Sequence, residues 1–319
     1  MNLNDPIFHD ETKARTYFEA IRWPNGPFCP HCGETEKIYR LEGKSHRPGL
    51  IHCNSCNGSF TVTTGGVMES SHIPLTKWAL GFRLYAASKK GFSAHQLHRQ
   101  IGITYKSAWF MAHRIREAMA PTKRGPIGGK NKIVETDETY IGRKEGRAKK
   151  QGFGHKHTVV ALVERGGPMV SFHLKDNMDR KAAREILFRN ADLNSDLMTD
   201  EAPYYKKPGD HFKSHEFVTH STGEYVRYPK IDKDAPEGTP VPPVIHTNTI
   251  EGAFSIFKRG MVGVYQHCGE QHLHRYLTEF DFRYSNRSKL GVDDTERTQR
   301  AVKGATGKRL TYHQAGGQA

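Results

Sequence analysis

The chain has 319 residues, long enough for more than one domain, and its 36% hydrophobic content with mean hydropathy −0.71 excludes an integral membrane protein built on apolar helices. Its opening, Met1-Asn-Leu-Asn-Asp-Pro6, has neither the basic region nor the apolar run of an export signal, so a cytoplasmic protein without a membrane partner is expected. Net charge is +14, and both the first 125 residues and the remainder are basic, which favours a polyanionic partner, nucleic acid above all.

From Asp10 to Arg22, Tyr17, Phe18 and Ile21 fall on one helical stripe, and Trp23-Pro-Asn-Gly26 stops it. Two Cys-x-x-Cys pairs follow, Cys29-Pro-His-Cys32 and Cys53-Asn-Ser-Cys56, with twenty residues between Cys32 and Cys53. Thiolates from two such turns close a tetrahedron around Zn2+, and the alternating stretch from Lys37 to Ile51 supplies short strands, so residues 1–66 read as a helix and a zinc ribbon. Disulfides are the competing reading, disfavoured in a reducing compartment. Four thiolates leave no open ligand position, which makes the site structural and leaves His31 and His52 without a metal role. Cys268 stands apart and reads as a packing residue.

After Thr63-Thr-Gly-Gly66 the pattern turns helical. Pro74 suits a first turn, and Trp78, Leu80, Phe82, Leu84 and Tyr85 supply apolar surface up to Lys89-Lys-Gly91. Ser93 caps a short helix to Gln100, Gly102 makes a turn, and Thr104 caps a second helix from Tyr105 to Met119. The spacing is that of a helix-turn-helix over residues 67–120, with Lys106, Arg114 and Arg116 as DNA contacts; a plain three-helix bundle is the alternative. Pro121 to Lys132, rich in Gly, Pro and Lys, reads as a linker.

Beyond it, Ile133 to Tyr140 is an acid-bearing strand, His157–Val163 and Met169–Leu174 are further strands, Arg180–Asn190 is a helix, and Leu197 to Glu201 is a short strand ending in acid. Phe217–His220 adds a fifth strand, and Asp232–Pro243 is a loop leading to His246–Gly260. There Ile250, Phe254 and Phe257 form one helical stripe, while Asn248, Glu251, Ser255 and Lys258 fall on another face. This succession predicts an α/β fold with a ribonuclease-H-like sheet over residues 131–287, in which Asp137 and Asp200 on central strands meet Glu251 from a later helix. Tyr276 to Tyr284 reads as a closing helix, and residues 288–319 as a basic tail, partly disordered at its end.

Taken together, Trp23-Pro-Asn-Gly-Pro-Phe-Cys-Pro-His-Cys-Gly33, Val134-Glu-Thr-Asp-Glu-Thr-Tyr140, Thr199-Asp-Glu201, His246-Thr-Asn-Thr-Ile-Glu251 with Lys258-Arg-Gly260, and Tyr276 to Tyr284 resemble the zinc-ribbon-bearing DDE transposases of insertion sequences, the group numbered fifteen-ninety-five. The resemblance runs from about residue 10 to residue 287. It implies an enzyme that binds the ends of its own mobile element, cuts there and joins the freed ends to target DNA, working as a homo-oligomer on that DNA. Asp137 and Asp200 match the family's two aspartates and Lys258 its lysine; the third ligand in the family is Asn or Glu, which keeps Asn248 and Glu251 both open. Hard divalent cations, Mg2+ or Mn2+, need oxygen ligands, and a bridging aspartate can hold two of them. Asp137 is expected to bridge, Asp200 and Glu251 to complete the sites, and Lys258 with its neighbour Arg259 to meet phosphate. Strand alternation is expected to turn Glu138 and Glu201 away from the metals. Two other readings stay open: a zinc-ribbon, helix-turn-helix regulator without catalysis, and a ribonuclease-H-like nuclease that cuts without joining.

Overall fold

The computed structural model describes residues 1–123, 125–149, 151–230 and 241–311, so most of the loop expected over Asp232–Pro243, and the end of the tail, lie outside the described residues. The chain divides into two units, Met1–Thr122 together with Gly291–Ala319, and Lys123–Leu290.

In the first unit, Asp10 caps helix α1 (Glu11–Arg22) by accepting from the Thr12 and Lys13 amides, and Phe18 is buried as its apolar stripe requires. Strands β1 (Ile38–Arg40), β2 (Ile51–Cys53) and β3 (Gly58–Phe60) form a three-stranded antiparallel sheet carrying the two cysteine knuckles. Helix α2 (Leu75–Ala87) follows Pro74 and has no side-chain cap of its own. Glu11 supplies one instead, its carboxylate accepting from the Leu75 and Thr76 amides. Helix α3 (Ala94–Ile101) is capped by Ser93 and ended by Gly102, whose φ of +62° is the left-handed conformation that favours glycine, and Thr104 caps α4 (Tyr105–Met119).

Two arginines on α4 are not where the sequence pattern placed them. Arg114 is 8% and Arg116 2% exposed. Arg114 donates to the Glu69 carbonyl at 2.9 Å and covers the Phe110 ring, and Arg116 covers the Tyr85 ring, so both side chains are engaged inside the unit rather than on its surface. Lys106 stays exposed in the first turn of α4. The tail is also more ordered than its composition implies. Helix α9 (Asp294–Lys303), capped by Asp293, returns to the first unit, where Arg297 is buried and donates to the Ala86 and Val292 carbonyls. Lys308 then donates to the Glu117, Ala118 and Ala120 carbonyls at the end of α4, covering acceptors the helix cannot satisfy itself.

The second unit begins with β4 (Ile127–Gly128) and contains β5 (Ile133–Ile141), β6 (His157–Glu164), β7 (Met169–Leu174), α5 (Arg180–Asn190), β8 (Ala191–Asp192), β9 (Asp196–Asp200), α6 (Pro203–Gly209), β10 (Ser214–Val218), β11 (Val226–Arg227), β12 (Ile245–His246), α7 (Asn248–Gly260) and α8 (Leu273–Ser285). The main sheet has the order β10-β9-β5-β6-β7. Strands β5, β6 and β7 are antiparallel, whereas β9 runs parallel to β5 and β10 to β9. This is the ribonuclease-H-like arrangement that the succession of elements predicts. Every residue of β6 is buried, because both faces of the sheet are covered. Val159, Ala161 and Val163 pack with Ile250, Phe254 and Phe257 of α7 and Phe280 of α8. Val160 and Leu162 face the other way, onto Ile186 and Leu187 of α5 and Tyr205 of α6.

Helix α7 is also held at its start. Glu135 on β5, fully buried, accepts from Arg165 Nε at 2.5 Å, from Thr249 Oγ1 at 2.8 Å and from the Ile250 amide at 3.0 Å. The same Arg165 donates to the Val244 and His246 carbonyls at 2.7 and 2.8 Å. One ion pair therefore fixes both the approach to α7 and its first turn, and the carboxylate meets the positive end of the helix. Arg165→Met leaves Glu135 buried without its cation, which is expected to cost about 3–5 kcal/mol. Hydrogen exchange at the amides of residues 250–254 checks this; exchange unchanged from the parent would show that the pair does not hold the helix.

Candidate active site

Parallel pairing of β5 with β9 sets Ile133 against Asp196, Val134 against Leu197 and Glu135 against Met198. Asp137 and Asp200 each lie two residues beyond the last of these pairs, so the register brings them level, with Asp200 ending β9. Carboxylate oxygens of Asp137, Asp200 and Glu138 lie within 4.8 Å of one another. Alternation does send Glu138 to the face opposite Asp137, where it accepts from the Tyr204 and Tyr205 hydroxyls of α6. At this end of the sheet, however, that turn does not carry its carboxylate away from the two aspartates, which corrects the expectation for Glu138. Glu201 does point elsewhere, its carboxylate accepting from the His220 and Ser221 amides.

Helix α7 forms the other wall. Its stripe of Ile250, Phe254 and Phe257 is buried in the core, so the opposite face turns outward, and an open cleft of about 360 Å³ is lined by Asp137, Glu138, Glu251, Ser255, Lys258 and Arg259 among others. Glu251 accepts from Thr247 Oγ1 at 2.9 Å and lies 3.4 Å from His220 Nε2. Asn248 is exposed at the first position of the helix and does not line this cleft. The cleft therefore carries carboxylates on the sheet side and two exposed cations, Lys258 and Arg259, on the helix side.

Burial, and then the charges of Glu138 and Asp200, push the Asp137 carboxyl well above the usual carboxylate range. Burial also raises Asp200 and Glu138, the latter against the hydroxyl that Tyr204 donates. A site of oxygen donors alone, in which crowded carboxylates resist ionising together, suits a hard divalent cation that would relieve the repulsion.

The first unit has a different donor set. Sγ atoms of Cys29 and Cys56, and of Cys32 and Cys53, are 3.6 Å apart, and the four lie within 4.8 Å of one another. Thiolates bound to zinc at about 2.3 Å stand roughly 3.8 Å apart in a tetrahedron, so these four fit a closed structural site and are too far apart for disulfides. Glu34 braces the knuckles, accepting from the Glu36 and Lys37 amides on one side and from Ser55 Oγ on the other. The repeat of cysteines did not single it out.

Residues 128–285 match the ISXO2-like transposase domain and residues 9–59 the transposase zinc-ribbon domain. The chain belongs to the zinc-ribbon DDE transposases of insertion sequences. The chain is 26% identical over 300 residues to an uncharacterized protein in transposable element ISH50 of Halobacterium salinarum, covering 86% of this chain and 91% of that one. It also aligns with a chain in the structure of the simian T-cell lymphotropic virus intasome in complex with PP2A regulatory subunit B56 gamma. That match has 18% identity, covers 40% of this chain and 52% of the other, and has a TM-score of 0.21. Within this transposase family a DDE domain implies a divalent metal, and the carboxylate cleft lies inside the matched transposase domain. Among the described residues no helix is long and apolar enough to cross a membrane.

Two outcomes follow from the donor sets. Cys53 is fully buried, and Cys53→Ser is expected to lose zinc and unfold the ribbon, because ligand binding there is part of the folding free energy. Metal analysis with circular dichroism checks it, and zinc content equal to that of the parent would contradict it. For the acids, whose carboxyls burial raises, the folded state retains protons that the unfolded chain has released, so metal-free stability is expected to fall as pH rises above the ordinary carboxylate range. Below that range both states are protonated and the penalty vanishes. Asp137→Asn is therefore expected to melt above the parent in chelator at neutral pH, and to gain less from added Mg2+; identical melting curves with and without the cation would count against a metal-binding cluster.

Proposed function

We propose that the protein is an active transposase that binds the ends of its element, cuts one strand at each, and transfers the freed 3′ ends to target DNA. The observation that carries this reading is the placement of Asp137 and Asp200 together at one end of adjacent strands, with Asp137 on the same cleft as Glu251 and Lys258. Magnesium, or manganese in its place, held by Asp137, Asp200 and Glu251, would activate the attacking oxygen and neutralise charge that builds on the phosphate. Lys258 and Arg259, at the helix side of the cleft, would hold the DNA phosphate in line, Lys258 as a point charge.

Glu251 is the third ligand in this reading, because an ionised carboxylate on the cleft wall outranks the neutral amide of an exposed Asn248. The hydrogen bond from Thr247 holds it at the first turn of α7, on the wall of the cleft. Glu138, fixed by two tyrosines, adds a third carboxyl beside Asp137 and so strengthens the demand for a cation.

End binding falls to the first unit, with the ribbon as one contact and the helices α3 and α4 as a helix-turn-helix. Lys106 and Tyr105 are exposed at the start of α4, and the Tyr105 ring stacks on that of His95 at 4.2 Å. The leading turn of such a second helix is the part that reaches base edges. The domain order is then ribbon, helix-turn-helix and catalytic domain, and two copies would serve the two ends of one element.

Purified variants test the assignment. With labelled end DNA, Asp137→Asn and Asp200→Asn are expected to bind as the parent does, or more tightly, while Mg2+-dependent cleavage falls by at least about 1,000-fold. Glu251→Gln is expected to be nearly inactive and Asn248→Ala impaired but measurable. Precut ends supplied with target DNA report joining separately. Full cleavage by Asp137→Asn would overturn the catalytic site, and cleavage without joining would reduce the protein to a nuclease.

A further inference from the structure

A second group of metal-ligating side chains in the same unit has no part in the carboxylate cleft. His157 opens β6, and His173 on β7 pairs with Val159, so the two histidines lie on the same face of the sheet, with ring centroids 5.3 Å apart. Glu270, in the turn just ahead of α8, extends one carboxylate oxygen to each. Oε2 is 3.9 Å from His157 Nδ1 and Oε1 is 3.9 Å from His173 Nε2. One ligand atom from each of the three residues lies within 4.8 Å of the other two.

Those two nitrogens are buried and have no hydrogen-bond partner among the described residues, and His157 is only 7% exposed. A buried, unsatisfied polar atom costs about 1–3 kcal/mol, and here two of them point at one carboxylate. The distance of 3.9 Å is too long for a hydrogen bond. It exceeds by about 0.5 Å the roughly 3.4 Å between ligand atoms in a tetrahedral site with bonds of about 2.0–2.1 Å, a difference that a small rotation of the half-exposed Glu270 side chain closes.

We propose that His157, His173 and Glu270 form a second zinc site, which ties the turn ahead of α8 to strands β6 and β7. Two imidazoles with one carboxylate are a zinc donor set and a poor one for magnesium, which takes oxygen ligands. The neighbouring cation, Lys144, is engaged by donating to the Lys175 carbonyl at 2.7 Å. Three protein ligands leave a fourth position for water.

Elemental analysis of the full chain tests the site, with excess Mg2+ present so that the carboxylate cleft has its own cation. The parent is expected to hold two zinc ions per chain, and His173→Ala and Glu270→Gln one fewer. The Glu270 side chain is 44% exposed, so its conservative replacement keeps the test valid should His173→Ala fail to fold. In the cobalt-substituted protein, the intense thiolate bands of the ribbon are expected to persist in Glu270→Gln while the weaker visible bands of a nitrogen and oxygen site disappear. Equal zinc in parent and Glu270→Gln, or a cobalt spectrum of thiolate character alone in the parent, overturns the proposal. Neither readout depends on DNA cleavage, so the result stands apart from the catalytic assignment.

Discussion

The second unit depends on one buried ion pair. Glu135 gathers donors from Arg165, Thr249 and the Ile250 amide, and Arg165 holds the Val244 and His246 carbonyls in turn. A buried pair of this kind adds little net stability compared with a well-packed apolar alternative, but losing one partner is costly. Its value lies in position. Glu135 stands two residues before Asp137 on the same strand and the same face, so the contact that docks α7 also fixes how far Glu251 and Lys258 lie from the aspartates.

The cleft built on that clamp works against the stability of the fold around it. Asp137, Asp200 and Glu138 are crowded at the end of β5 and β9, and burial pushes all three carboxyls upward. Such a set persists only because stronger interactions hold its frame: the fully buried β6, the apolar stripe of α7, and the two tyrosine hydroxyls on Glu138. The repulsion makes the site receptive to a cation, and a cation is what the phosphate chemistry of a transposase requires.

Net charge is a weaker guide to the interface than to the class of partner. The +14 of the chain points to a polyanion, yet Arg114, Arg116, Arg283 and Arg297 are buried and serve packing, carbonyl bonds and internal ion pairs. Arginine on a mixed helix is ambiguous because its long stem can cover apolar surface as readily as it reaches solvent. Only the neighbours on other elements decide which it does, as Tyr85 and Phe110 do on α4.

Local signals were sufficient for much of this protein. Cysteine spacing specified the ribbon ligands, and Ser93, Gly102 and Thr104 bounded α3 and α4, because caps, turns and thiolate pairs act within a few residues of chain. The candidate aspartates were legible as acids at strand ends, and the outward face of α7 as a period of three and four. Sequence could not show that Glu138 stays beside Asp137, that Glu135 and Arg165 clamp α7, that Arg114 and Arg116 are core, or that α9 returns to the first unit. Each of these is a contact between segments distant in sequence. Period and propensity carry no information about which buried partner waits across the fold, so the sequence by itself determined the elements and the chemical types at their ends, and tertiary packing decided which of those groups meet.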